Sequence, residues 1–396
     1  MTVFLLAWLV AHAVAVALVF AFTLGLGRPV HVRQGPQAAV VVAVKGHDYE
    51  FDEFLARLFQ QDYPAFRVIF AVESADDAAV PAIEKYRAMA PDRVTLVVAE
   101  RRQDEGQKTT NLRAAVATLT PQDEILVLAD ADIWPEPDWL FRLVEPLVTG
   151  EADAVSGFAW LIVKDDRLAS YVLTAMAASI ATIPRLPMLN PCWGGCTAMR
   201  QQTFRDLNIA EEWRGTLSDD LQLTNVVQTA GFRIAAPREI LLRTAIKTGG
   251  FAAVAAEAQR WFMLVRIYVP GTYAITLAAM TFAALGWIAA VVGTLALRLD
   301  AAVVLVLALL LNWLRARGRT LLVRQLWGEA GTAENAQYLR LDPLVSPIAT
   351  ILNAIYGWSA LRMKRTTWAG TTYEIGGPQN VQVLKREASG SASSMT

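Results

Sequence analysis

The sequence predicts an α/β domain built on a mostly parallel sheet and joined to membrane-crossing helices. Three observations lead there. Between residues 36 and 245, short apolar strand-like runs alternate with helical segments, the pattern of right-handed crossovers. Residues 3–26 contain no Asp, Glu, Lys or Arg, and the chain becomes apolar again from about Pro270. Hydrophobic residues make up 54% of the 396 and charged ones 18%, too apolar for an ordinary soluble enzyme. These shifts divide the chain into a terminal helix with a basic flank (1–35), the α/β domain (36–248), an interfacial helix (249–270), C-terminal membrane helices and loops (271–375), and a polar tail expected to be disordered (376–396). A net charge of −1 gives no footprint for nucleic acid.

Residues 3–26 are long enough to cross a bilayer. A cleaved signal peptide fits less well, because no basic residue precedes the run. Arg28 and Arg33 follow it, which puts the N-terminus outside and the α/β domain in the cytoplasm of a multi-pass protein of the inner or cell membrane. The domain begins with a continuous β-branched run at 38–45, read as a buried strand. An amphipathic helix at 52–61 is broken by Asp62-Tyr63-Pro64. Strands at 67–73 and 93–99 flank a helix at 79–89. A helix at 109–119 then leads to a strand at 124–129. A parallel sheet of these strands places Lys45, Glu73 and Asp130 at one edge, and ligands of open α/β sheets sit outside the carboxyl ends of the strands.

The strand ending at 129 runs into Asp130-Ala131-Asp132. Two carboxylates one residue apart are suited to a hard divalent cation, which binds through one or two carboxylates plus substrate phosphates. The plain alternative is a solvated turn. Asp76 and Asp77 read equally as carboxylates at a helix N-terminus or as nucleotide contacts. Asp219 and Asp220 precede a helix at 221–229, which Ser218 or Asp219 could cap. The second carboxylate is then available as a general base. The amphipathic stretch 251–269 reads as an interfacial helix. It carries Arg260, able to grip phosphate bidentately, and Trp261, a flat face for a sugar ring.

Residues 273–297 form a good spanning helix, Arg298-Leu299-Asp300 a minimal turn, and 301–314 a shorter second span. Arg315, Arg317, Arg319 and Arg324 crowd what reads as one cytoplasmic loop. The apolar stretch 344–361 has cytoplasmic-looking flanks on both sides, and Pro343 and Pro347 open a re-entrant or interfacial reading beside a spanning one. Cys192 and Cys196, the only cysteines, read as buried or pocket-lining thiols rather than a disulfide or a zinc pair.

In order, Asp76-Asp77, Asp130-x-Asp132, Asp220 and Arg260-Trp261 resemble the D, DxD, D, (Q/R)xxRW series of membrane-bound family 2-like glycosyltransferases, with the ceramide glucosyltransferase branch the closer match. Val44-Lys45-Gly46, Gln61-Asp62-Tyr63-Pro64, Lys108-x-x-Asn111-Leu112, Gly194 through Met199-Arg200, and Trp368-x-Gly370-x-x-Tyr373 extend the likeness over roughly residues 36–375. Two departures stand out. Glu257 occupies the Gln/Arg position of the last motif, with Gln259 out of register, and either Glu73 or Asp77 can be the acid that meets the nucleobase.

The resemblance implies a GT-A fold, the Rossmann-like fold of nucleotide-diphospho-sugar transferases. It implies inverting transfer of a hexose from a nucleotide sugar, UDP-linked in the first instance, to a hydroxyl of ceramide, diacylglycerol or a hopanoid-type lipid. Asp77, with or without Glu73, would contact the nucleoside. Asp130 and Asp132 would hold Mg2+ or Mn2+. Lys45, Lys108 and Asn111 would belong to the donor site, although Lys108 also reads as a surface lysine. Asp220 would be the base, with Asp219 the second candidate. Arg260 would neutralise the departing diphosphate, Trp261 would line the sugar or acceptor site, and Gly194 and Gly195 would let the backbone approach the donor. One base suffices for a single displacement, hence inversion. A lipid acceptor gives the membrane segments a purpose, because each CH₂ withdrawn from the bilayer costs about 0.8 kcal/mol. A processive polysaccharide synthase is the alternative, for which three or four apolar segments make a poor channel. A non-catalytic membrane scaffold derived from such an enzyme is the second alternative.

Overall fold

The computed structural model describes residues 1–32, 34–183, 185 and 190–386. Arg33 of the expected basic flank and residues 387–396 of the expected tail lie outside the described residues. The chain divides into two compact units. One is helical and comprises Met1–Arg28, Trp160–Pro184 and Ile246–Met363. The other carries the main sheet and comprises Pro29–Ala159, Arg185–Ala245 and Lys364–Thr396.

The seven-stranded sheet has the order Val94–Val98, Phe66–Val72, Ala38–Ala43, Ile125–Ala129, Cys196–Arg200, Ala154–Ser156, Ile234–Ala235. The first four strands are parallel. Cys196–Arg200 runs antiparallel to both of its neighbours, so the sheet is mixed beyond Ile125–Ala129. The strands are apolar because both faces are covered. Val40 and Val42 pack with Phe51, Phe54, Leu55 and Leu58 on one side. Val41, Ile69 and Leu126 pack with Leu112, Trp213 and Leu223 on the other. This is the period-two alternation of a strand between two helical layers. The register pairs Ala43 with Ala71 and Val42 with Ala129. Lys45, Glu73 and Asp130 therefore leave the sheet at one edge, as expected. The strand order reverses between Ala38–Ala43 and Ile125–Ala129, and the crevice at such a switch point is where open α/β sheets bind ligands.

The helix expected at 52–61 is Tyr49–Leu58. It starts earlier because the Asp48 side chain accepts from the Phe51 N–H at 3.1 Å and caps it. The tail needs a larger correction. Residues 376–386 are not disordered: Thr371–Gly377 and Asn380–Arg386 pair as antiparallel strands, with Arg365–Trp368 on the other side. Tyr373, Ile375 and Val381 are buried, so an alternating apolar face orders a segment that looks polar in composition.

In the helical unit, Thr2–Leu24, Pro270–Leu295 and Leu299–Glu334 are long and apolar enough to cross a membrane. The arginine-rich loop is not a loop. Arg315, Arg317, Arg319 and Arg324 all lie in Leu299–Glu334, whose only non-helical backbone is at Gly328 (φ 64°). Arg319 is 1% exposed and reaches Asp342 at 2.8 Å, so this charge is paired with a carboxylate inside the protein. Asp342 lies in a continuous helix, Ala336–Ala360, that runs through Pro343 and Pro347. A further apolar helix, Leu168–Ala181, packs on Ala336–Ala360 and was not anticipated from the sequence.

Candidate active site

The site is assembled from loops at the carboxyl edge of the sheet. Asp130 follows Ile125–Ala129, and its N–H donates to the Gly195 carbonyl at 3.3 Å. Its Oδ1 lies 2.7 Å from Lys108 Nζ. Lys108 is the second residue of the helix Gln107–Val116, and its ammonium also lies 3.5 Å from Asp219 Oδ1. Asp219 opens the helix Asp219–Thr229, is 2% exposed, and leaves Oδ2 without a hydrogen bond. Neither Asp219 nor Ser218 caps that helix through its side chain. The Asp220 carboxylate accepts from the Gly194 N–H at 3.2 Å and the Leu221 N–H at 2.8 Å, and also from the Ser218 hydroxyl. Gly194 leaves little room here: a Cβ would stand 2.9 Å from Lys108 Nζ and 3.2 Å from Asp219 Oδ2, so these side-chain ends would have to shift.

Burial, and then the charge of Asp130, push the Asp132 carboxyl up to about 7. Burial also pushes Asp219 up to about 7, opposed by Lys108 and reinforced by Asp220 and Asp130. For Lys108, burial works against the charge, but Asp130, Asp219 and Asp220 outweigh it and hold the ammonium above the usual lysine range. Four carboxylates thus face one ammonium, an arrangement that favours added positive charge. No group of three or more His, Cys, Asp or Glu forms a ready metal cage among the described residues. Asp130 and Asp132 supply hard oxygens, and their mutual repulsion is of the kind a divalent cation relieves. The donor set therefore fits Mg2+ or Mn2+ completed by phosphate oxygens.

Along the same edge, Asp77 Oδ1 accepts from the Gly46 and Ala79 N–H groups, both at 2.9 Å. Glu73 lies 3.5 Å from each of Lys45, Arg101 and Arg386. In the helical unit, Arg260 and Trp261 stand on Phe251–Tyr268. Glu257 Oε1 accepts from both, from Arg260 Nη2 and from Trp261 Nε1, the latter at 2.6 Å. Gln259 donates instead to the Ser359 hydroxyl at 2.8 Å. The model of one protein family, glycosyl transferase family 21, matches residues 5–380.

The chain belongs to glycosyl transferase family 21.

This family 21 transferase also resembles solved structures at a distance. The mannosyltransferase PcManGT from Pyrobaculum calidifontis, in complex with GDP-Man and Mn2+, is 19% identical over 90% of this chain and 98% of its own, with a TM-score of 0.48. TarS 1-349 from S. aureus, in complex with UDP-GlcNAc, is 11% identical over 89% of this chain and 100% of its own, with a TM-score of 0.41. No curated protein sequence matches the chain. The protein is a glycosyltransferase with a mixed α/β fold, and among the described residues three helices are long and apolar enough to cross a membrane.

Of the residues expected in the site, Lys108, Asp130, Gly194, Asp219 and Asp220 are brought together in the sheet unit of the transferase, with Asp132 beside them. Lys45, Glu73 and Asp77 lie further along the edge. Asn111 is 3% exposed and turned inward, accepting from Gln107 Nε2 at 2.9 Å and donating to the Ala71 carbonyl at 3.4 Å. It braces the end of Phe66–Val72 from beneath. Gly195 supplies the carbonyl that receives the Asp130 N–H. Arg260 and Trp261 belong to the helical unit. The cysteines are free buried thiols, both pushed up to about 12 by burial, with Cys196 Sγ 3.2 Å from Trp139 Nε1. Buried thiols of this kind are structural rather than reactive. Sequence reasoning missed Ser218 as a partner of Asp220, and missed Arg101 and Arg386. The signal for Arg386 was the alternation of Val381 and Val383 with polar residues.

Proposed function

We propose that this transferase moves a hexose from a nucleotide sugar to a hydroxyl of a membrane lipid, with inversion at the anomeric carbon. The observation that carries the reading is the half-buried bridge of Lys108 between Asp130 and Asp219 at the carboxyl edge of the sheet, in a chain of this family. The leaving diphosphate gathers the developing charge, so fixed positive groups stabilise the transition state most. Lys108 offers a held ammonium there. Arg260 is assigned the same task on the strength of its motif, and Trp261 the sugar or acceptor face. Asp130 and Asp132 would hold a divalent cation, which when bound adds positive charge at the diphosphate. Asp77 and Glu73 are assigned to the nucleoside.

Asp220 is assigned the role of base for the attacking hydroxyl, fixed in orientation by Ser218, Leu221 and Gly194. Asp219, with one unbonded oxygen, is the neighbour against which that assignment is tested. Asp220→Asn should abolish transfer while leaving nucleotide-sugar binding largely intact. If Asp220→Asn still turns over and Asp219→Asn does not, the base is Asp219. Helices able to cross a membrane let a lipid acceptor remain inserted during transfer.

The deciding experiment incubates membranes containing the protein with a panel of labelled nucleotide sugars and identifies the labelled product by mass spectrometry. One hexose on a lipid, with its anomeric configuration inverted by NMR, is the expected result. A ladder of sugars, a retained configuration or no labelled lipid with any donor would overturn the proposal.

A further inference from the structure

The C-terminal hairpin is bonded to both loops that carry the reactive side chains of the sheet unit. Tyr373 Oη accepts from the Gln107 N–H at 3.3 Å, at the first residue of the helix whose second residue is Lys108. Just upstream, the Val383 N–H donates to the Gln103 carbonyl at 2.9 Å, and Arg386 Nη2 donates to the Arg102 carbonyl. At the hairpin turn, Gln379 Nε2 donates to the Glu212 carbonyl at 3.0 Å. The Gln379 carbonyl comes so close to Gly215 (φ +70°) that a Cβ there would lie 2.5 Å from it. The two loops are also tied to each other. The Gly106 N–H donates to the Thr216 carbonyl at 2.8 Å, and the Gly215 N–H to Glu105 Oε2 at 3.2 Å. One loop ends at Lys108, the other at Asp219 and Asp220.

The hairpin also adds a charge. Arg386 joins Lys45 and Arg101 around Glu73, each at 3.5 Å, so three cations surround one carboxylate whose side chain is 9% exposed. None of these contacts is a hydrogen bond. Glu73 Oε2 and Arg386 Nε and Nη1 are buried without a hydrogen-bond partner. Charged donors and acceptors left unsaturated in this way are costly to fold. Their position matters more than their stability, because Glu73 ends the strand beside the one that leads to Lys45, at the edge where Asp130 also emerges.

We propose that the C-terminal hairpin is a working wall of the donor site. Arg386 is a positioning residue that holds Glu73 for the nucleoside of a nucleoside diphosphate, and Tyr373 is a positioning residue that fixes the start of the Lys108 helix. The proposal rests on the transferase reading above.

The two roles predict opposite kinetic signatures, measured on the full-length protein in detergent with UDP and GDP as binding probes and sugar transfer as turnover. Arg386→Ala weakens nucleoside diphosphate binding and raises the donor KM by about tenfold or more, with kcat within about threefold. Arg386→Lys recovers most of the loss. Tyr373→Phe lowers kcat by about fivefold or more while nucleotide Kd stays within about twofold. A hairpin that only stabilises the fold would lower kcat, binding and Tm together in both variants, with no rescue by lysine, and that pattern overturns the proposal. So does unchanged binding in Arg386→Ala. Nucleotide binding is read without turnover, so absence of labelled lipid from the wild-type protein counts against the lipid-transfer reading and leaves the binding comparison standing.

Discussion

Gly194 shows how tightly the reactive groups are set. A methyl group at this position meets the Lys108 ammonium at 2.9 Å and Asp219 Oδ2 at 3.2 Å, and the Gly194 N–H is itself a donor to Asp220. Gly194→Ala should therefore lower kcat by about 10- to 100-fold through displacement of those side chains, while circular dichroism and Tm stay near wild type. Unchanged turnover would show that Lys108 and Asp219 can move aside freely. Titration is a second property of single residues. Asp132 and Asp219 are pushed up to about 7 in the folded protein, against about 4 in an unfolded chain. Between those values the folded state binds more protons than the unfolded state. Stability without added metal should therefore be fullest at the acid end of this window and fall as pH rises through it, levelling off above pH 7. Thermal unfolding across the window checks this. Asp132→Asn and Asp219→Asn should each flatten the slope, and slopes unchanged in both variants would place the pH dependence elsewhere.

At the scale of elements, the helix Phe251–Tyr268 holds its motif together with its own side chains. Glu257, three and four residues before Arg260 and Trp261, receives a hydrogen bond from each on one oxygen. Glu257→Gln keeps an oxygen acceptor and should retain turnover within about threefold, whereas Glu257→Ala removes it and should cost about tenfold. Initial-rate measurements on both variants decide, and equal rates would mean that the shared oxygen does not matter to transfer. The four parallel strands, the helices between them and the edge that gathers Lys45, Glu73 and Asp130 were legible because continuous apolar runs and turn residues are local signals. The half-buried bridge from Asp130 to Lys108 to Asp219 was not legible, since its members are far apart in sequence and only the sheet order makes them neighbours. Asn111 looked like a ligand by motif but serves the Ala71 carbonyl, a distinction that only burial reveals. The strand Asn380–Arg386 was hidden by its polar composition, because the buried face of a hairpin needs only every second residue.

Across the whole molecule, the chain passes three times through each unit, so the helical unit is assembled from segments as distant as Met1–Arg28 and Ile246–Met363. An apolar sequence supplies burial but little register, and a buried polar cluster can supply it. Arg319 and Asp342, both 1% exposed, pair at 2.8 Å between the helices Leu299–Glu334 and Ala336–Ala360. Asp342 also accepts from Ser346 and Tyr338, and Arg319 Nη2 donates to the Ser179 hydroxyl at 3.1 Å on Leu168–Ala181. Three helices therefore meet at one guanidinium. This is why the arginine row misread as a loop: the positive-inside rule counts charges, and it has no knowledge of a carboxylate 23 residues later that neutralises one of them. Removing one partner strands the other charge, a loss of about 3–5 kcal/mol for a buried pair, while replacing both with apolar side chains is often neutral or stabilising. Arg319→Met and Asp342→Leu should each lower Tm in detergent and reduce the yield of folded protein, and the double variant should recover most of the Tm. If the double variant is instead as unstable as the worse single one, the surrounding hydroxyls need the ions, and the cluster serves as a polar network rather than as a pair. Turnover of the double variant then separates stability from register. A Tm restored without activity means that the ion pair selects the alignment of these helices, and restored activity means that apolar packing alone can set it.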